Sequence, residues 1–168
     1  MPRLLKPLLF VLCALPLAWL ALRAFGVAGL GLGANPVDEL QDELGEWGLR
    51  FLLLTLCVTP LAVTLRKPWL MKLRRMLGLF AFTYVSLHLL NWLVLDQWFD
   101  VRAIVADIAK RPYITVGMVA FGLLVPLAAT STAGWMRRLG PRWHRLHRLV
   151  YPAAILGCVH FWWQVKAD

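Results

Sequence analysis

The residues of this chain best suited to chemistry are histidines placed inside apolar segments. Of four histidines, His88, His147 and His160 lie in segments of membrane length, and the last two share one segment. An imidazole in hydrocarbon is costly unless it is paired, so ionisable residues at membrane depth are functional candidates. Neutral imidazole is also a common axial ligand of haem iron. The three positions therefore predict a redox site inside a membrane.

The composition predicts the elements that must position these histidines. The chain has 168 residues, of which 60% are hydrophobic and only 16% are charged, whereas a soluble domain carries about a quarter charged residues. The apolar residues form continuous blocks long enough to cross the membrane as helices, unlike the alternating strands of a barrel. We predict an all-α integral membrane protein, a single domain over residues 1–168, with a bundle of five transmembrane helices: Pro7–Phe25, Trp47–Leu65, Met76–Leu95, Tyr113–Thr130 and Leu146–Val165.

Two connecting segments are long enough to have a role of their own. Gly26–Glu46 is rich in glycine and then acidic, which predicts an extracytoplasmic loop of about twenty residues that could dock a partner. Trp98–Arg111 is too charged to span the membrane, and it predicts a short interfacial helix on the outer surface. Its apolar residues follow the spacing of one helical face: Val101, Ile104, Val105 and Ile108. No internal repeat is evident in the sequence.

The net charge of +9 is explained by membrane topology rather than by a nucleic-acid partner. Basic residues cluster in Arg66–Arg75 and Arg137–Arg148, with Arg3 and Lys6 at the start, and the acidic residues lie in the alternate segments. The positive-inside rule then places the N-terminus and both basic loops in the cytoplasm. We expect the first helix to be retained, because its long apolar run ends at Arg23 without a small-residue cleavage site.

Depth along the helices selects which histidines can share one iron. At about 1.5 Å per residue, His147 and His160 are about 20 Å apart along the axis, too far to bind the same metal. His88 lies in the outer half of its helix, as His160 does, so these two are predicted to clamp one haem between the third and fifth spans. Two axial imidazoles leave no open iron position, which suits one-electron transfer.

His147 lies at the inner end and could serve a second haem. Counting thirteen residues back from His88 reaches Arg75. Its neighbour Met76 could be a weak axial ligand, and Arg74 or Arg75 could instead pair with a haem propionate or a flavin phosphate.

The placement of His147 meets a geometric objection. On an ideal helix, His147 and His160 are separated by about 140° around the axis. Bringing both side chains to one face therefore needs local rewinding near Pro152 or Gly157. A structural imidazole bonded to a carbonyl is the alternative at each position. His144, in a basic run at the interface, is expected to be merely solvated.

Several motifs resemble the MsrQ family, formerly called YedZ, from about Gly31 to the end of the chain. They are Arg74-Arg-Met-Leu-Gly-Leu ahead of His88, Lys110-Arg-Pro-Tyr-Ile-Thr-Val-Gly, Leu127-Ala-Ala-Thr-Ser-Thr, Arg142-Trp-His-Arg-Leu-His-Arg-Leu-Val-Tyr and His160-Phe-Trp-Trp-Gln-Val-Lys. The resemblance implies a ferric-reductase-like transmembrane domain, related to the membrane core of NADPH oxidases. It implies haem b (one or two), with the family's histidines falling on His88, His147 and His160, and a bound FMN.

The resemblance also implies a role in the bacterial inner membrane. Electrons from quinones or a cytoplasmic flavin reductase would pass outward to MsrP, a periplasmic molybdopterin subunit that reduces methionine sulfoxide in oxidised proteins. The chain would then be a non-catalytic electron-transfer subunit of an oxidoreductase system. Members of the family usually have a sixth helix after the Val-Lys segment, and the present sequence ends at Asp168.

Two other classes of function compete with this interpretation. A transporter or metal-handling membrane protein could use intramembrane histidines to relay protons or bind a transition metal, but histidines at two depths do not converge on one small ion. A free-standing ferric reductase would need its own flavin and nicotinamide domain, for which 168 residues leave no room.

Overall fold

The structure is a computed structural model that describes residues 4–167, so that Arg3 and Asp168 lie outside the described residues. Most of the described residues are helical, and none of them forms a strand. The chain divides into two compact units, Met1–Asp96 and Gln97–Asp168. Each unit is built around a helical hairpin, and each hairpin carries one of the histidines predicted to share an iron.

The first unit contains α1 (Leu5–Ala24), α2 (Pro36–Thr64) and α3 (Met71–Asn91), and a single π-helical turn extends α3 to Asp96. Along the contacts between α2 and α3, residue numbers rise on α2 and fall on α3: Gln41–His88, Gly48–Val85 and Thr55–Gly78. The two helices are therefore an antiparallel hairpin, with His88 beside the start of α2.

The prediction of a loop over Gly26–Glu46 is wrong in its second half, because α2 begins at Pro36. Asn35 precedes the helix, Pro36 occupies its first position, and Asp38 and Glu39 lie in its first turn. Proline suits this position because its missing N–H has no helical partner there, and acidic side chains favour the positive end of the helix dipole. The predicted span began at Trp47 because that is where the apolar run begins, not where the helix does.

Helix α1 is joined to α3 by Tyr84, whose side chain is 0% exposed. The backbone N–H of Leu17 donates to the Tyr84 hydroxyl at 2.9 Å, and this hydroxyl donates to the carbonyl of Cys13 at 3.0 Å. These two backbone groups are the pair that an i to i−4 bond would join, and Pro16 lies between them. The tyrosine therefore completes the hydrogen bonding of α1 at its proline, in a helix apolar enough to lie in the membrane.

The second unit contains α4 (Val101–Lys110), α5 (Pro112–Ala129), α6 (Ala133–Leu139), α7 (Pro141–Leu146) and α8 (Val150–Ala167). A 3₁₀ turn, His147–Leu149, joins α7 to α8. The predicted short helix within Trp98–Arg111 is present as α4. Its first turn is capped by Asp100, whose carboxylate accepts from the N–H groups of Arg102 and Ala103.

The prediction of an all-α membrane protein is confirmed. Four of the five predicted spans correspond to helices long and apolar enough to cross a membrane: α1, α2, α3 with its π turn, and α5. Only 11–33% of the residues in their apolar windows are buried, so their large apolar surfaces need lipid or protein around them. Helix α8 has 18 residues, but its polar residues His160, Gln164 and Lys166 reduce its hydropathy. Its crossing stays a prediction, as does the single domain.

Candidate functional site

His88 is held on α3 by the backbone of α2. Its Nδ1 lies 2.9 Å from the carbonyl oxygen of Gln41. Because a carbonyl can only accept, Nδ1 is the protonated nitrogen and donates this hydrogen bond. The lone pair of the neutral ring is then on Nε2, which is the arrangement found where histidine binds a metal and its other nitrogen bonds to a carbonyl.

The side chain of Gln41 also contacts the His88 ring. Its amide nitrogen lies 3.3 Å from Nε2 of His88, so it can donate to the lone pair of that nitrogen. Asn91, which is 6% exposed, donates to the Gln41 side-chain oxygen at 2.8 Å and to the Val37 carbonyl at 3.1 Å. This bond orients the Gln41 amide, because its oxygen must face Asn91 and its nitrogen must face His88.

His160 is held on α8 in the same way by the backbone of α5. Its Nδ1 lies 2.8 Å from the carbonyl oxygen of Tyr113, and the two rings lie 5.8 Å apart between centroids. The same reasoning puts the proton on Nδ1 and the lone pair on Nε2. Both histidines therefore offer a single nitrogen, and in both the orientation is set by a carbonyl near the start of the neighbouring helix.

A glycine lies four residues after each carbonyl, directly against the imidazole. A Cβ added to Gly45 would lie 2.9 Å from Nδ1 of His88, and one added to Gly117 would lie 2.8 Å from Nδ1 of His160. Real Cβ atoms do not approach other atoms this closely. Each ring is therefore packed against helix backbone at a place where only glycine leaves enough room.

These two arrangements reveal an internal repeat that the sequence analysis missed. A shift of 72 residues places the first hairpin's Gln41, Gly45 and His88 on the second hairpin's Tyr113, Gly117 and His160. In both hairpins, 47 residues separate the residue that supplies the carbonyl from the histidine. The same shift relates four further pairs of buried residues: Gly48 and Ala120, Leu52 and Leu124, Thr55 and Leu127, Ala81 and Ala153. The equal spacing from glycine to histidine was the available signal, but few other residues are identical.

His147 lies at the other end of the second hairpin from His160. Its Nδ1 lies 3.1 Å from the carbonyl oxygen of Trp143, its Nε2 is buried, and its ring stacks on the indole at 3.7 Å between centroids. The indole N–H donates to the carbonyl of Thr130 at the end of α5. The predicted separation of His147 from His160 along the axis is consistent with these contacts at opposite ends of α5.

The 3₁₀ turn changes the angle between His147 and His160. A 3₁₀ residue turns by about 120° instead of 100°, so three of them reduce the separation around the axis from about 140° to about 80°. This 3₁₀ turn lies at His147–Leu149, and the chain is α-helical from Val150 through Pro152 and Gly157. His144 is exposed, in agreement with its expected solvation.

The remaining residues suggested for the inner position lie on α3. Arg74 is half-buried and donates to the Thr59 hydroxyl at 3.4 Å, Met76 is half-buried, and Arg75 is exposed. Among residues 4–167, no three His, Cys, Asp or Glu side chains cluster as they would around a metal ion. The arrangement instead supplies single imidazole nitrogens, which is the donor set that a haem iron takes. The role of His88, His147 and His160 as ligands stays a prediction.

Comparison with known proteins adds family information to this geometry. Residues 44–158 match the family described as "Ferric reductase like transmembrane component". Among similar proteins, one from Rhodospirillum rubrum is 57% identical over 160 residues, covering 95% of this chain and 76% of its own length. One from Caulobacter vibrioides is 55% identical over 162 residues, covering 96% of this chain and 76% of its own.

A third relative, from Azospira oryzae, is 54% identical over 163 residues, covering 96% of this chain and 68% of its own length. All three carry the name "Protein-methionine-sulfoxide reductase heme-binding subunit MsrQ". No solved structure matches the chain significantly.

Proposed function

Because the chain belongs to the family of ferric reductase-like transmembrane components, among the MsrQ subunits, we propose that it is a haem-binding electron-transfer subunit of the membrane. It passes electrons from the cytoplasmic side, or from the quinone pool, to a periplasmic molybdopterin-dependent protein-methionine-sulfoxide reductase. The subunit itself converts no substrate. The result is repair of oxidised periplasmic proteins.

The observation that carries this proposal is the shared orientation of two imidazoles. In each hairpin a backbone carbonyl holds Nδ1, at 2.9 Å for His88 and 2.8 Å for His160, so Nε2 carries the lone pair that would bind iron. We assign His88 and His160 as the axial pair of one haem b. The group supplies one-electron transfer when it is bound, and two imidazoles leave it no position for oxygen. His147 belongs to a second, inner redox position.

The charged segments are assigned to the two partners of the subunit. The basic segments Arg66–Arg75 and Arg137–Arg148 face the cytoplasm and receive the flavin, FMN, or a flavin reductase, because cationic side chains pair with phosphate. The first three turns of α2 carry the acidic residues Asp38, Glu39, Asp42, Glu43 and Glu46 and face the periplasm, where MsrP docks. The subunit lies in the bacterial inner membrane with its N-terminus in the cytoplasm.

Absorbance spectra of the purified protein before and after dithionite test this proposal. A sharp low-spin b-type band is expected on reduction in the wild type. His88→Ala and His160→Ala are each expected to abolish it, and the control His144→Ala, at an exposed position, is expected to keep it. A folded but colourless wild-type protein would rule out the electron-transfer role.

A further inference from the structure

Gly45 on α2 and Gly117 on α5 each lie directly against a histidine ring. Glycine weakens a helix relative to alanine, so a packing role is needed to explain why alanine would be worse at these two positions. At both positions the surroundings are a histidine ring, and a Cβ would meet two ring atoms of it within 3.0 Å. The same contact recurs in two hairpins of otherwise different sequence.

We propose that Gly45 and Gly117 are positioning residues for His88 and His160. Each glycine lets the imidazole lie flat enough against the neighbouring helix for Nδ1 to reach the carbonyl one turn earlier. That bond then sets the tautomer and the direction of Nε2. A methyl group at either position pushes the ring off the helix, which lengthens the bond to the carbonyl and turns Nε2 away from its position.

Neighbouring glycines show that this contact is specific. A Cβ at Gly48 would meet the backbone and side chain of Val85 rather than a histidine, so that glycine serves the close approach of α2 and α3. Gly122, on the same helix as Gly117, has no atom within 4 Å of its Cβ position, and the nearest atom to a Cβ at Gly78 is 3.6 Å away. Gly122 is therefore a control on the same helix as Gly117, and Gly78, on α3, is a control within the first hairpin.

A double-mutant cycle followed by thermal unfolding tests the contact itself. Gly117→Ala is expected to lower the Tm when His160 is present. It is expected to leave the Tm unchanged or raise it in a His160→Ala background, because no ring remains to be displaced and alanine favours the helix. Gly45→Ala and His88→Ala form the same cycle in the first hairpin. The controls Gly122→Ala and Gly78→Ala are expected not to lower the Tm in any background. An equal fall in Tm with and without the histidine would overturn the proposal.

The consequence for the cofactor rests on the proposed function and has its own measurement. Residues that orient a metal-binding histidine typically change metal affinity by about 10- to 100-fold. Gly45→Ala and Gly117→Ala are therefore expected to retain about tenfold less haem per protein than the wild type and Gly122→Ala. Any haem that remains should show a shifted low-spin electron paramagnetic resonance signal. Wild-type haem content and an unchanged signal in both variants would overturn the positioning role.

The two measurements separate the failure of this inference from the failure of the proposed function. If His88→Ala and His160→Ala both kept full haem, the axial assignment would be wrong. The double-mutant unfolding cycles would still show whether each glycine makes room for the imidazole ring. If both histidine variants lost haem and the glycine variants did not, the axial assignment would stand and the inference would fall.

Discussion

At the scale of single residues, a backbone carbonyl determines which imidazole nitrogen of each histidine carries the proton and which carries the lone pair. A carbonyl holds Nδ1 in His88, His147 and His160 alike, although the residue types that supply it differ. Since any residue has a carbonyl, no side-chain motif marks these partners. The sequence therefore predicts which histidines matter, while the tautomer of each ring follows only from the packing of one helix on another.

The two hairpins differ in the residue whose carbonyl bonds to the histidine, which is Gln41 in the first hairpin and Tyr113 in the second. Gln41 adds a side-chain amide close to Nε2 of His88, where an iron would compete with it, and Tyr113 has no amide to add. We predict that Gln41→Met keeps or tightens haem binding, since the competing donor is gone. The same change should destabilise the fold by about 1–3 kcal/mol, because the buried amide of Asn91 loses one of its acceptors.

Haem titration and thermal unfolding of Gln41→Met measure both effects, with Gln97→Met as a control outside the hairpin. Loss of haem from a fully folded Gln41→Met protein would mean that the amide supports the ligand rather than competing with its metal.

At the scale of elements, Tyr84 joins α1 to α3 through two hydrogen bonds at Pro16. Tyr84→Phe removes the hydroxyl. The N–H of Leu17 then loses its hydrogen bond to this oxygen, and the carbonyl of Cys13 loses its donor, in an apolar region. Because an unsatisfied buried polar group costs about 1–3 kcal/mol, we expect a loss of stability of at least this size. Thermal unfolding measures it. Tyr151→Phe, at a residue 55% exposed, should change the stability little. Equal effects of the two changes would show that the hydroxyl is not needed at the proline.

How well the elements can be predicted from sequence depends on what terminates each one. Apolar runs predict the central parts of α1, α3 and α5 to within a few residues, because lipid requires such runs. Residues 36–46 were predicted as loop, because acidic residues carry no hydropathy signal although Pro36 and Asp38 favour a helix start. The 3₁₀ turn at His147 has no sequence mark at all, since it arises from the junction of two helices.

At the scale of the whole molecule, the charges predict a topology that can be tested segment by segment. Reporter fusions after residue 66 should be cytoplasmic, and fusions after residues 97 and 168 should be periplasmic, because the positive-inside rule keeps basic segments on the cytoplasmic side. The last fusion is the decisive one, since α8 is the crossing that stays a prediction. A cytoplasmic reporter after residue 168 would mean that α8 does not span, which would remove His160 from the proposed depth.

The proposed electron-transfer role requires that His88 and His160 bind the same iron. The most direct measurement is the haem-to-protein ratio, from reduced-minus-oxidised spectra, of His88→Ala, His160→Ala and the variant that combines both. If one iron is shared, each single change removes the same haem and the combined change removes no more than either alone. If the two losses add, the histidines serve separate irons and the central claim is wrong.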